Sequence, residues 1–143
     1  MEMRVNFRGG LEVAAEFKGF QVLTDQPPAV GGQSAGPSPY DLCLASLGTC
    51  AGFYALRFCQ ERGIGTEGLE LQLSTLKEPE GGLAAIQIQV LLPDGFPEKY
   101  RRPILRAVDH CAVKRLILAP PPIDVVALTR AEQVAGELVR EAV

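Results

Sequence analysis

From Leu42 to Leu56 the chain carries no charged side chain, and Asp41 and Arg57 bound the stretch. The Ser38-Pro39-Tyr40-Asp41 sequence ahead of it reads as a helix start: Ser at the N-cap, Pro at the first helical position, and an acid placed to complete a capping box. Gly63 and Gly65 supply the stop, so the spacing predicts a helix from Pro39 to about Arg62-Gly63. That helix is apolar on nearly every side. It is expected to be buried at the centre of the molecule or of a dimer, and Gly48 and Gly52 would let a second helix approach closely. The charge-free stretch falls short of the ~18 apolar residues a membrane span requires, so no membrane partner is expected.

The rest of the chain can cover such a helix. Its 143 residues, 47% of them hydrophobic, suffice for one core without metal or disulfide staples, so one domain over residues 1–143 is expected. With 14 basic against 17 acidic side chains the net charge is −3. Lys99, Arg101, Arg102 and Arg106 form the densest basic cluster, which reads as a solvated helix face, so no nucleic-acid partner is expected. The N-terminus enters β-type alternation at once, without the pattern of a secretory leader. Four cysteines, at 43, 50, 59 and 111, include no Cys-x-x-Cys pair. They point to reduced thiols in the cytoplasm, and neither a disulfide framework nor a zinc site is expected.

Val5 and Phe7, Leu11 to Phe17, and Phe20 to Leu23 alternate around Gly9-Gly10 and Lys18-Gly19 turns, which predicts a three-stranded meander. Asp25 to Pro39, rich in Gly, Pro, Ser and Gln, is a loop long enough to be functional. Beyond the helix, Leu69–Leu76 and Leu83–Leu92 form a hairpin around Glu78-Pro79-Glu80-Gly81-Gly82. A helical region opens near Pro97, resets at Pro103, breaks near His110-Cys111 and ends at Pro120-Pro121-Pro122. Ile123–Leu128 reads as a last strand, and Thr129-Arg130-Ala131-Glu132 as the cap of an amphipathic C-terminal helix, an extension over 129–143. Hairpins segregated from helices make the class α+β.

Cys50 and Cys111 are the candidate reactive residues. Cys50 lies mid-helix between small residues, Gly48, Thr49, Ala51 and Gly52, which leave room around its sulfur; a cysteine in an apolar helix is otherwise ordinarily a packed hydrophobe. Cys111 sits where a helix restarts, and free amide N–H groups with Lys114 and Arg115 would favour its thiolate, though Asp109 opposes them. Cys43, seven residues before Cys50, shares its helix face but lies ~10 Å away along the axis, too far to bridge it. Cys59 points to the opposite side and is expected in the core. Any partner for Cys50 must come from elsewhere, and Cys111 is the candidate.

Gly36-Pro37-Ser38-Pro39-Tyr40-Asp41-Leu42, followed by Ala45-Ser46-Leu47-Gly48-Thr49-Cys50, resembles the Gly-x-x-Pro-x-Glu-Leu…Ala…Cys helix of the osmotically inducible protein C and organic hydroperoxide resistance (OsmC/Ohr) family. Cys111-Ala112-Val113 with Lys114, Arg115 and Leu116 is similar to that family's second motif, Cys-Pro-Val followed by a helix. The resemblance covers residues 3 to 128. It implies an α+β fold of antiparallel sheets wrapped around two central helices, formed as an intertwined homodimer. It further implies a cysteine-based peroxidase, with Cys50 as the thiolate that attacks an organic hydroperoxide, Cys111 as the resolving thiol, a dithiol as reductant, and neither metal nor haem as cofactor.

Two positions depart from the family's pattern. Ten residues before Cys50, where hydroperoxide-resistance members carry Glu, stands Tyr40; Asp41 lies nine before and suits either a helix cap or a catalytic acid. The arginine that partners that Glu could be Arg8 or Arg4. Ala112 replaces the Pro of the second motif. The chain thus looks like the broader OsmC-like branch, and two further readings stay open: a non-catalytic dimer binding an apolar ligand, and a thiol redox sensor. The expected pocket lies between Cys50, Cys111 and the loop from Pro27 to Pro39, lined by Tyr40, Leu47 and Phe53.

Overall fold

The computed structural model describes residues 2–134. Strands β1 (Arg4–Gly9), β2 (Glu12–Phe17) and β3 (Phe20–Thr24) form an antiparallel meander in the order β1-β2-β3. Lys18 and Gly19, both at positive φ, make the two-residue turn that pairs Phe17 with Phe20. Such turns match the twist of the strands they join. At the other turn a bulge after Phe7 coincides with Gly9 and Gly10, also at positive φ.

Helix α1 (Pro39–Gln60) begins as the sequence predicts. Ser38 Oγ accepts the Asp41 amide at 3.1 Å, and the Asp41 carboxylate accepts the Ser38 amide at 3.1 Å, closing the box in both directions. Its C-terminal end is a Schellman closure, with the Ile64 amide bonded to the Cys59 carbonyl and the Gly63 amide to that of Gln60 around Gly63 at φ +62°. Both ends are therefore set by local chemistry.

After α1 come the hairpin β4 (Glu70–Lys77) and β5 (Leu83–Leu91), α2 (Arg101–Asp109) and α3 (Ala112–Leu118). The reset expected at Pro103 does not occur. Pro103 lies in the first turn of α2, where its missing N–H has no intrahelical acceptor to lose. The expected break is real: Cys111 separates α2 from α3 as the N-cap of the latter.

The core forms where α1 meets α2, α3 and the inner face of β4–β5. Leu47, Ala51, Ala55, Phe58 and Cys59 make its α1 stripe at helical spacing, Ile104 and Val108 come from α2, and Phe96 and Cys111 complete it. Leu71, Leu73, Ile86, Ile88 and Val90 pack against it from the hairpin.

Burial of α1 on every side is not what one copy of the chain achieves. Its other flank exposes Phe53 at 51% and Leu56 at 40%, because the chain covers α1 from one side only. By length and composition alone α1 could cross a membrane, its best 18-residue window having mean hydropathy 1.4. The charge-free stretch understates this, since such a window tolerates a charged residue. The meander likewise leaves Val5, Phe7 and Phe20 in solvent, and none of its strands packs extensively on another described element outside the sheet.

The strand expected over Ile123–Leu128 is absent. These residues pair with no strand of the described chain and expose Ile123, Val125, Val126 and Leu128. Apolar composition suggested a strand, but no sheet edge of the same chain lies alongside it. Thr129 and Glu132 do form the expected capping box, with Thr129 N to Glu132 Oε2 at 2.7 Å and Glu132 N to Thr129 Oγ1 at 3.3 Å. Of the expected extension, residues 135–143 lie outside the described residues.

Candidate functional site

Cys50, in the middle of α1, and Cys111, at the start of α3, come together although 61 positions separate them (111 − 50). α2 makes this possible by packing Ile104, fully buried, and Val108 on α1, then ending at His110 so that the next residue points back at the helix. Cys111 is 1% exposed. Its Sγ lies 3.8 Å from the Leu47 carbonyl, to which it can donate, and accepts the Lys114 amide at 3.4 Å.

The two thiols are electrostatically unequal. Desolvation pushes the Cys50 thiol upward, but it is outweighed by the Val113 amide, the Cys111 thiol, the Ala112 amide and the Arg115 charge, which together hold Cys50 below an ordinary cysteine. Cys111 goes the other way: desolvation raises it, the Lys114 amide only partly opposes this, and the bond it donates to Cys50 raises it further. The same surroundings thus ease the ionisation of one sulfur and oppose that of its neighbour.

This reverses the expectation that the start of the helix favours a thiolate at Cys111. As N-cap, Cys111 accepts chiefly from the Lys114 amide and less from that of Val113, while the first two amides of α3 both act on Cys50. Lys114 is not free to help either, since its ammonium lies 2.5 Å from Asp109 Oδ1.

Arg8 and Arg4 do not meet the thiol pair within the chain. Arg8 is held by Glu16 Oε1 at 2.9 Å on the meander, and Arg4 lies exposed on the same strand. The guanidinium acting on Cys50 is that of Arg115, which the sequence placed near Cys111 without pointing to Cys50. Asp41 resolves as a cap: its carboxylate also accepts the Ser38 hydroxyl at 2.7 Å, and these bonds hold its pKa down. Cys59 is fully buried and its thiol raised by desolvation, whereas Cys43 is exposed.

The expected pocket is replaced by a different one. A groove of about 460 Å³ runs between β5 and the α2–α3 pair, lined by Leu47, Ile86, Leu105, Val108, Ile117 and Leu118, with the Lys114–Asp109 pair on its wall. Leu47 belongs to it, but Tyr40 and Phe53 do not; Phe53 faces a separate cleft with Tyr54, Arg57 and His110. The 27–39 loop is absent from the groove because it folds back on the end of β3.

The cause of that fold is Asp25, which sequence reasoning passed over. It is 2% exposed, and its carboxylate accepts the amides of Gln26 at 2.7 Å, Gln33 at 2.8 Å and Ala35 at 3.0 Å. Those bonds, the Ala35 one first, pull its pKa down. An Asp opening a Gly- and Pro-rich segment is the signal that could have found it. Among the described residues, no cluster of three or more His, Cys, Asp or Glu side chains is arranged to hold a metal ion.

Comparison with known proteins matches the fold. The family model described as OsmC-like protein matches residues 31–126, which contain both Cys50 and Cys111. An osmotic-stress-induced and detoxification response protein of Psychrobacter arcticus superposes with TM-score 0.67 at 18% identity, over 79% of this chain and 85% of that one. An OsmC-like protein of unknown function from Vibrio cholerae gives TM-score 0.57 at 14% identity, over 80% and 90% of the two chains. The organic hydroperoxide resistance protein OsmC of Legionella pneumophila gives 0.54 at 16%, over 83% and 90%. At these identities the likeness is one of fold. No curated protein matches the sequence.

Proposed function

The chain belongs to the OsmC-like protein family, and from that premise we propose that it is a thiol-dependent peroxidase that reduces organic hydroperoxides in stress or detoxification. The observation that carries this reading is the inequality of the thiol pair, with Cys50 held below and Cys111 above the ordinary cysteine range. The Cys50 thiolate attacks the terminal oxygen of the hydroperoxide; the O–O bond breaks, the alkoxide takes a proton and leaves as alcohol, and Cys50 becomes a sulfenic acid. Cys111 attacks that sulfur, water leaves, and a disulfide results. An external dithiol returns the pair to thiols by exchange.

The names of structural neighbours support the substrate class, since one is an organic hydroperoxide resistance protein. The apolar groove beside Leu47, whose carbonyl faces Cys111, suits an alkyl chain better than hydrogen peroxide. Purified protein with a dithiol is expected to consume an alkyl hydroperoxide, and Cys50→Ser to abolish this. Equal activity in the two would overturn the reading.

We further propose a homodimer of one-domain subunits in the cytoplasm. The uncovered flank of α1 and the exposed Val5, Phe7 and Phe20 of the meander support the dimer. Four unpaired cysteines support a reducing compartment. The groove itself favours a second reading, a dimer that binds an apolar ligand without turnover. Ligand-dependent thermal stabilisation with an unreactive Cys50 would select it.

A further inference from the structure

Cys111 does two jobs with one sulfur. It faces Cys50, and it is the N-cap of α3, accepting the Lys114 amide at 3.4 Å. α3 spans only Ala112–Leu118, with no other side-chain cap at its start, and a helix of two turns depends heavily on such a partner. The single thiol proton also has a place in the packing, shared between Cys50 and the Leu47 carbonyl 3.8 Å from Sγ, and so ties the start of α3 to α1.

Oxidation cannot leave this intact. Reduction of one hydroperoxide to alcohol and water takes two electrons and two protons from the pair, one proton being that of Cys111. The new S–S bond is ~2.05 Å long with a dihedral near 90°, far shorter than any contact between two thiols, so the sulfurs must turn toward each other. In doing so Cys111 loses its donor to Leu47 and swings away from the Lys114 amide.

We propose that disulfide formation between Cys50 and Cys111 uncaps α3, so that the oxidation state of the pair is transmitted to the helix that walls the apolar groove. Lys114, Ile117 and Leu118 all lie on α3 and line that groove. Loosening them alters the groove after the hydroperoxide has reacted. It also opens a way to Cys111, which is 1% exposed in the reduced state and closed to an incoming dithiol. The device rests on the redox pair proposed above, and its test separates the two.

Full-length protein is compared before and after one equivalent of an alkyl hydroperoxide, with disulfide formation followed by mass as the loss of two hydrogens and amide exchange followed by peptide. Exchange over residues 114–119 is expected to rise about five-fold on oxidation, the effect of losing one N-cap, and to return on adding a dithiol. Peptides of β4 and β5 are expected not to change. Cys111→Ser keeps a capping oxygen and cannot form the disulfide, so the same peroxide is expected to leave its α3 exchange unaltered. A disulfide that forms with no change at α3 overturns the uncapping and leaves the peroxidase intact. No disulfide at all overturns both.

Discussion

Cys111 Sγ stands 3.8 Å from the main-chain carbonyl of Leu47, so the first turn of α3 is fastened to α1 within one turn of Cys50. The Ala112 and Val113 amides that act on Cys50 belong to that turn.

Arg115→Ala is expected to raise the Cys50 titration, because it removes the one cationic side chain among the described residues that acts on that sulfur, while the Val113 and Ala112 amides remain. Thiolate absorbance against pH, in wild type and variant, reads this directly. An unchanged midpoint would remove Arg115 from the site.

Ile104→Ala should cost about 2–5 kcal/mol, since Ile104 is fully buried between α2 and α1. Leu105→Ala, one residue along and 51% exposed, should cost far less. Urea unfolding of both compares them, and similar losses would mean that Leu105 is covered in solution.

Ser38→Ala should destabilise by about 1 kcal/mol through loss of the N-cap. Asp41→Asn is expected to lower stability without slowing alkylation of Cys50, as its carboxylate is engaged by the Ser38 amide and hydroxyl. A loss of thiol reactivity in Asp41→Asn that Ser38→Ala does not share would return Asp41 to the catalytic set.

The bonds from Ala35, Gln33 and Gln26 lower the folded-state pKa of Asp25 below its unfolded value. Its stabilisation is therefore present above the ordinary carboxylate range and is lost as pH falls through the folded value, below that range. The amides of Gln33 and Ala35 should become exchange-labile in that acid window, and Asp25→Asn should make them labile at neutral pH. Protected amides in the variant would show that the loop is held by other means.

An alanine Cβ at Gly52 meets nothing within 4 Å in the chain, so in an isolated copy Gly52→Ala would gain about 0.5–1 kcal/mol of helix propensity. In the proposed homodimer the same methyl is expected to meet the second copy and shift the protein toward monomer. Sedimentation decides: a variant more stable and of unchanged mass would place the dimer contact elsewhere.

Local chemistry carried most of the fold into the sequence. The capping box at Ser38, the turns at Gly9-Gly10 and Lys18-Gly19, and the alternation of Leu71 with Leu73 each lie within a few residues, so short-range pattern was enough. What was not legible depended on distance. The α3 amides were visible as a helix start, but only the approach of α2 to α1 turns them toward Cys50. The sequence offered Arg8 or Arg4 as the arginine for Cys50 and placed Arg115 by Cys111, and only the fold brings the charge of Arg115 to bear on Cys50. Ile123–Leu128 has the composition of a strand yet finds no edge to pair with, which no reading of its own residues could reveal. Asp25 was overlooked because its three amide partners look like ordinary loop residues until the loop closes.

Within this sequence the meander precedes α1, and its two tight turns let it close before α1 has been made. It is then a small sheet with Val5, Phe7 and Phe20 in water, and no described element outside the sheet packs extensively on it. Nascent subunits are consequently adhesive from the moment the meander closes, and high expression should be tolerated only where chaperone capacity or rapid assembly keeps pace with synthesis.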